Sequence, residues 1–213
     1  MNNPSTKLED LIHVERGIIP SHLCDSIIEY IETKEWKPHE WYNSSTGKSC
    51  SEEEMELDIQ PATPEVQKIL GKYVVESGLI YTKIYAFPFR NISSSKYSNA
   101  SGMEEALNSK EVTPFMNQFC PIRFNRYQPG QIMRQHHDHI HSIFDGETKG
   151  VPVLSFIFNF NDDYEGADLY FWEDSVIKLG KGDVVMFPSN FLFPHGVTEI
   201  TKGKRYSAVA WGW

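Results

Sequence analysis

Tyr127-Gln-Pro-Gly130-Gln-Ile-Met-Arg-Gln-His136-His137-Asp138 is the stretch on which the reading of this chain turns. A Pro-Gly turn at 129–130 delivers the backbone into an extended run, where alternate side chains share one face. His136 and Asp138, two apart, therefore converge. Two imidazoles and one carboxylate can hold Fe(II) on one side and leave the opposite side open, so a second histidine would complete the set. His195 supplies it, after Gly182-Asp-Val-Val-Met-Phe-Pro-Ser189 and the loop Asn190 to Pro194, at the start of the next strand. The neighbouring histidines keep a second register open, because His137-x-His139 or His139-x-His141 also places two imidazoles on one strand face, as in a cupin-like site. Arg205 follows in the final strand. Its forked, permanent charge suits a buried carboxylate better than a lysine does, which implies a carboxylate-bearing cosubstrate.

Around this site the chain reads as short runs rich in β-branched and aromatic residues: Leu79 to Ala86, Gln118 to Tyr127, Val151 to Asn161, Ala167 to Trp172, Val176 to Leu179, Asp183 to Phe187 and Arg205 to Trp213. Pro129-Gly130, Asp162-Asp163, Glu165-Gly166 and Gly180-Lys181-Gly182 punctuate them at intervals suited to an antiparallel jelly roll. Two helices precede the strands. Leu23, Ile27, Ile28 and Ile31 recur at helical spacing over Ser21 to Thr33. Thr63 caps the second helix, Pro64 fits its first position, Val66, Ile69, Leu70, Tyr73 and Val74 form its stripe, and Gly78 can end it. The fold expected is α+β and mainly β, a double-stranded β-helix with N-terminal helices packed on one sheet. Residues 1–213 form one domain, with 1–78 as helical support, 79–213 as the β-helix core and 91–110 as an inserted, serine-rich loop placed to act as a lid or a surface excursion.

With 213 residues, 40% hydrophobic content and 13% aromatics, the chain can bury a substantial single core. A net charge of −9 and the lack of any Lys/Arg run disfavour nucleic acid as a partner. Met1 to Lys7 contains no apolar targeting segment, and no later stretch is apolar enough to span a bilayer, so a cytoplasmic location without membrane attachment is expected. Cys24, Cys50 and Cys120 are isolated and read as reduced, packed thiols.

Taken together, Tyr127-x-x-Gly130, His136-x-Asp138, Phe187-Pro188-Ser189, His195, Gly203-x-Arg205-x-Ser207 and Trp211 resemble the prolyl 4-hydroxylase-like branch of the Fe(II)/2-oxoglutarate-dependent oxygenases. The resemblance runs from about Phe115 to Trp213, with an echo in Ile18 to Cys24, Trp36 and Thr46-Gly47-Lys48-Ser49. Tyr127 and Gly130 stand at the family's spacing from His136, which favours the register His136, Asp138, His195 over the cupin-like one. The resemblance implies Fe(II) on those three residues. It implies 2-oxoglutarate chelating the metal through its 1-carboxylate and keto oxygen, with the 5-carboxylate on Arg205 and help from Tyr127 and Ser207.

It further implies O2 as oxidant, ascorbate as a stimulant, and succinate and CO2 as co-products. A carboxylate at Asp138 leaves no ligand position for halide, so hydroxylation is expected. Two departures stand out: Gly166-Ala167-Asp168-Leu169 replaces the Gly-Gly-Glu-Thr of many relatives, and Phe158 replaces a tyrosine used for the 5-carboxylate in some. A prolyl residue in a peptide or protein is the first expected substrate. A free amino acid or another small metabolite is the alternative within the same chemistry, and a non-catalytic metal- or ligand-binding jelly roll of cupin-like type is the alternative outside it.

Overall fold

Leu154–Asn159 forms a strand in which all six residues are buried, so both of its faces pack against protein. A strand covered on two sides needs a second layer on each, and those layers define the molecule. The computed structural model describes residues 7–43, 48–50, 56–85, 116, 118–138 and 151–213. The elements run β1 (His13–Glu15), α1 (Ser21–Glu32), β2 (Lys37–Pro38), β3 (Trp41–Asn43), β4 (Lys48–Cys50), β5 (Asp58–Pro61), α2 (Pro64–Tyr85), β6 (Arg123–Tyr127), β7 (Met133–His136), β8 (Leu154–Asn159), β9 (Glu165–Gly166), β10 (Leu169–Phe171), β11 (Ser175–Ile177), β12 (Val184–Pro188), β13 (His195–Val197), β14 (Ile200–Lys202) and β15 (Arg205–Gly212).

Seven strands form the larger sheet, in the order β1-β12-β8-β15-β6-β5-β2, and four form the facing sheet, β11-β10-β13-β7. Both are antiparallel. The architecture is the expected jelly roll with helices on one sheet.

Strand periodicity divides the larger sheet into two cores. Phe156 and Phe158 of β8, Val184 and Met186 of β12, Ala208 and Ala210 of β15 and Phe124 of β6 pack with Ile27 and Ile31 of α1 and Leu70 and Val74 of α2. Each fully buried phenylalanine there contributes on the order of 1.5–3 kcal/mol. The alternate positions, Ile157, Val185, Phe187 and Tyr127, face Met133, Leu169, Phe171 and Val197 of the smaller sheet. The N-terminal segment is stapled to this framework by Asp183, whose carboxylate accepts from Arg16 (2.6 Å) and from the backbone of Gly17 (2.9 Å) and Gly180 (2.7 Å).

Two regions differ from the sequence reading. α2 does not end at Gly78, and Leu79 to Tyr85 continue it rather than forming a strand. Its buried residues Leu70, Gly71, Val74, Ser77, Gly78 and Tyr81 hold a 3.6-residue period, with small side chains occupying part of the stripe. Close packing accepts them: a Cβ on Gly71 would stand 3.0 Å from the Phe119 ring. The helical cost of Gly78, about 1 kcal/mol, is smaller than the burial of Leu79 and Tyr81 that follows. The N-terminal third is also more than helical, since β1, β2 and β5 extend the larger sheet at its two edges. The expected loop 91–110 lies outside the described residues.

Candidate metal and cosubstrate site

β7 and β13 pair antiparallel with His136 opposite His195, which brings the imidazole centroids to 4.4 Å. Asp138 follows β7 after one residue. Its carboxylate lies 3.5 Å from Nε2 of His136 and 3.7 Å from Nε2 of His195, and one ligand atom from each of the three residues falls within 4.8 Å of the others. Both rings are oriented alike. Nδ1 of His136 donates to the carbonyl of Arg134 (2.8 Å) and Nδ1 of His195 to that of Phe193 (3.1 Å). A carbonyl only accepts, so the proton sits on Nδ1 and the Nε2 lone pairs converge.

Electrostatics suit a cation. Burial pushes the His195 imidazole down to about 4, against the opposing pull of Asp138, so it is a neutral donor at neutral pH. Burial alone would raise the Asp138 carboxyl, but the His195 and His136 imidazoles and the Ser155 hydroxyl outweigh it and hold the group well below the usual carboxylate range. Ser155 donates to Asp138 at 2.6 Å and is 2.7 Å from the Ser189 hydroxyl. Phe187 packs edge-on to His195 at 4.7 Å, and Phe171 lies 5.6 Å away. Phe187 and Phe171 thus wall the distal ligand. Phe193 is buried beside them, while Phe191 is 70% exposed.

Arg205 is only 1% exposed. Its Nε donates to Asn159 Oδ1 (2.9 Å) and one Nη to the Ala167 carbonyl (3.0 Å), and its guanidinium lies 5.5 Å from the centre of the Tyr127 ring. Two bonds from its own chain fix the fork while leaving further N–H groups for a ligand. The Ala167 carbonyl is aimed by an unusual turn: Gly166 has φ +78°, where a Cβ would meet Glu199 O at 2.2 Å, and Ala167 itself has φ 50°. An alanine in that left-handed conformation stores about 1–2 kcal/mol of strain. Tyr164 donates to the same Asn159 oxygen at 3.3 Å.

One narrow pocket of about 30 Å3 joins these groups, and His136, Asp138, His195, Arg205, Tyr127 and Ser207 all line it. All six residues singled out in the sequence therefore meet. His137 is exposed, and His139 and His141 lie outside the described residues. Leu169 lines the pocket where a threonine was noted as missing. Phe158 does not, because it faces the helices; Ile157 occupies the pocket side.

Sequence reasoning missed Ser155, Asn159 and the Ala167 carbonyl. The signal was present in β8, whose Ser155, Ile157 and Asn159 alternate with Leu154, Phe156 and Phe158. The donor set fits a divalent metal. Three polar atoms of pocket-lining residues, Asn125 Oδ1, Arg123 Nε and Trp211 Nε1, are buried without a hydrogen-bond partner among the described residues. Such orphans fit a cavity built around a polar ligand.

Comparison with known proteins agrees with this geometry. Residues 122–213 match the model of the 2OG-Fe(II) oxygenase superfamily. A PKHD-type hydroxylase of Shewanella sp. (strain MR-7) is 36% identical over 98 residues, which is 44% of this chain and 43% of the relative, so the match spans less than half of that protein. The viral collagen prolyl hydroxylase of Paramecium Bursaria Chlorella virus-1, solved as a 2OG complex, shares the fold with a TM-score of 0.57 over 94% of each chain at 15% identity. A Trichoplax adhaerens prolyl hydroxylase, solved with a hypoxia inducible factor peptide fragment, gives a TM-score of 0.59 over 95% of this chain and 83% of its own at 11% identity. Residues 122–213, the segment similar to the 2OG-Fe(II) oxygenase superfamily, supply every side chain of the pocket described above.

Proposed function

We propose that this chain is an Fe(II)- and 2-oxoglutarate-dependent hydroxylase in which His136, Asp138 and His195 hold the metal and Arg205 holds the far carboxylate of 2-oxoglutarate. The observation that carries the reading is the convergence of those three ligand atoms within 4.8 Å in the pocket that also contains the fixed guanidinium of Arg205. When bound, the metal and cosubstrate supply the oxidative decarboxylation of 2-oxoglutarate by O2, with succinate and CO2 as co-products, coupled to hydroxylation of a C–H bond.

The chain's own residues contribute positioning. The two Nδ1–H donations fix the imidazole tautomers, Ser155 keeps the Asp138 carboxylate aimed at the histidines, and Asn159 with Ala167 sets the Arg205 fork. Tyr127 and Ser207 line the same pocket, Tyr127 opposite Arg205 in the strand register. Phe171, Phe187 and Leu169 exclude water from one side, which protects a reactive centre from wasteful side reactions.

A prolyl residue in a peptide or protein is the substrate the reading favours, supported by the prolyl hydroxylases that share the fold. Succinate formation with Fe(II), 2-oxoglutarate, ascorbate and O2, measured with and without proline-rich peptides, tests it. Peptide-stimulated turnover that disappears in Asp138→Ala is the expected result. Turnover indifferent to peptide would move the substrate to a free amino acid or small metabolite, and a wild type that neither turns over nor shows a visible charge-transfer band with anaerobic Fe(II) and 2-oxoglutarate would leave a binding module.

A further inference from the structure

We infer that Arg123 is a second carboxylate-binding group of this pocket and selects a substrate carrying a carboxylate close to the carbon that is hydroxylated. Arg123 and Tyr127 lie on the same face of β6, four residues apart, which in a strand is roughly 13 Å. In the register with β15, Tyr127 is opposite Arg205 and Arg123 is opposite Val209. The two guanidiniums therefore enter the pocket from well-separated levels of one wall.

The side chain of Arg123 leans away from Arg205. Its guanidinium carbon stands 5.4 Å from the centre of the Trp211 ring, and Trp211 pairs in register with Ser155, whose hydroxyl holds Asp138. Arg123 is thus turned toward the metal end. Arg205 is satisfied by Asn159 and Ala167, whereas no hydrogen bond or ion pair to Arg123 occurs among the described residues and its Nε is buried. An arginine keeps its charge in such a place; the Asp138 carboxylate attracts it without bonding it, and a half-buried guanidinium with a buried, unmatched Nε–H is costly. The arrangement becomes favourable when an anion arrives.

That anion is assigned to the substrate, an assignment that rests on the oxygenase reading. There, one carboxylate of 2-oxoglutarate chelates the metal and the other meets Arg205, so the cosubstrate leaves Arg123 unmatched. The indole of Trp211 offers an apolar wall beside the guanidinium, and its Nε1–H is likewise unpartnered among the described residues. The chemistry selected is a carboxylate next to a small apolar body. It is met by the α-carboxylate of a free amino acid, or by the C-terminus or an acidic side chain of a peptide.

Wild type, Arg123→Met and Arg123→Lys, loaded anaerobically with Fe(II) and saturating 2-oxoglutarate, test the assignment. Free amino acids, N-acetyl amino acids and the matched amides of both, with prolyl, small apolar and acidic side chains, are titrated in while tryptophan fluorescence and the charge-transfer band are followed. In wild type at least one acid should bind about tenfold more tightly than its amide, the scale of one charge-assisted bond. That preference should vanish in Arg123→Met and return in part in Arg123→Lys, with the 2-oxoglutarate dependence of the band unchanged. A preference confined to free amino acids or shared by the acetylated ones identifies which source of carboxylate the site takes.

Acids and amides binding alike, no member of the panel binding, or a preference intact in Arg123→Met would each overturn the assignment. So would an Arg123→Met protein that needs about tenfold more 2-oxoglutarate with its acid preference unaltered, since the guanidinium would then serve the cosubstrate. A wild type without the band fails before any acid is added, and that failure belongs to the oxygenase reading itself.

Discussion

The two faces of the larger sheet are made from the same strands and have opposite characters. Toward the helices, β6, β8, β12 and β15 present Phe124, Phe156, Phe158, Val184, Met186, Ala208 and Ala210. Toward the smaller sheet, β6, β8 and β15 present Arg123, Asn125, Tyr127, Ser155, Asn159, Arg205 and Ser207, with buried polar groups among them. The alternation that elsewhere separates core from solvent here separates a packed core from a chemical cavity. One face supplies the free energy that the other spends on buried charge and left-handed backbone.

If that division is real, mutations on the two faces should fail in different assays, and the largest contrast is between Asp138 and Phe158. Asp138→Ala removes one of three metal ligands and should lower turnover by at least about a thousandfold, the scale of more than 4 kcal/mol in the rate, while the metal-free protein keeps its unfolding midpoint within a few degrees. Phe158→Ala should cost about 3–5 kcal/mol of stability through the cavity it leaves, read as a fall in the denaturant midpoint, with metal affinity preserved wherever the protein remains folded. Equal losses of stability in both variants would break the comparison.

Arg205→Ala comes next. Losing a charge-assisted fork should raise the 2-oxoglutarate concentration for half-maximal turnover by roughly a hundredfold, with Fe(II) affinity changed far less. The substitution also strands the Ala167 carbonyl and leaves Asn159 Oδ1 with only the longer bond from Tyr164, so a modest fall in melting temperature should accompany it. An unchanged 2-oxoglutarate requirement would remove Arg205 from the cosubstrate site.

The pH dependence of stability separates the faces in another way. Burial holds the His195 imidazole at about 4 in the folded protein, below its ordinary 6.5, so the unfolded chain takes up the proton first as pH falls. Stability is therefore full above about pH 6.5 and declines as pH drops toward 4, by up to roughly 3 kcal/mol. Metal-free protein should melt at a lower temperature at pH 4.5 than at pH 7, and His195→Asn should flatten that slope. A slope untouched by the substitution would place the acid sensitivity elsewhere.

What was legible in the sequence follows the same division. The ligand residues and Arg205 were readable because they are chemically rare combinations at fixed spacing, and the apolar face of each strand was readable from its period. Ser155 and Asn159 escaped because a serine or asparagine in an apolar run gains meaning only from partners far along the chain, Asp138 at 17 residues and Arg205 at 46. The end of α2 was misplaced for a related reason. Ser77 and Gly78 continue its buried stripe, yet small residues carry no hydrophobic signal, and a glycine otherwise reads as a stop.

Ser155 gives the smallest effect and the sharpest test, because it sits on β8 between two members of the apolar core, Leu154 and Phe156, and touches the chemistry only through Asp138. Were it a packing residue, Ser155→Ala would be nearly neutral in every assay, since alanine fits the same space. As an orienting group it holds the Asp138 oxygen that faces His195 while the other oxygen faces His136, and loss of such an outer hydrogen bond weakens metal binding about tenfold. Anaerobic Fe(II) titration should show that weakening with the melting temperature of the metal-free protein almost unchanged. Ser155→Thr, which keeps the hydroxyl, should recover most of the affinity. A weakened Ser155→Thr beside an unaffected Ser155→Ala would reverse the assignment and make position 155 part of the packed face after all.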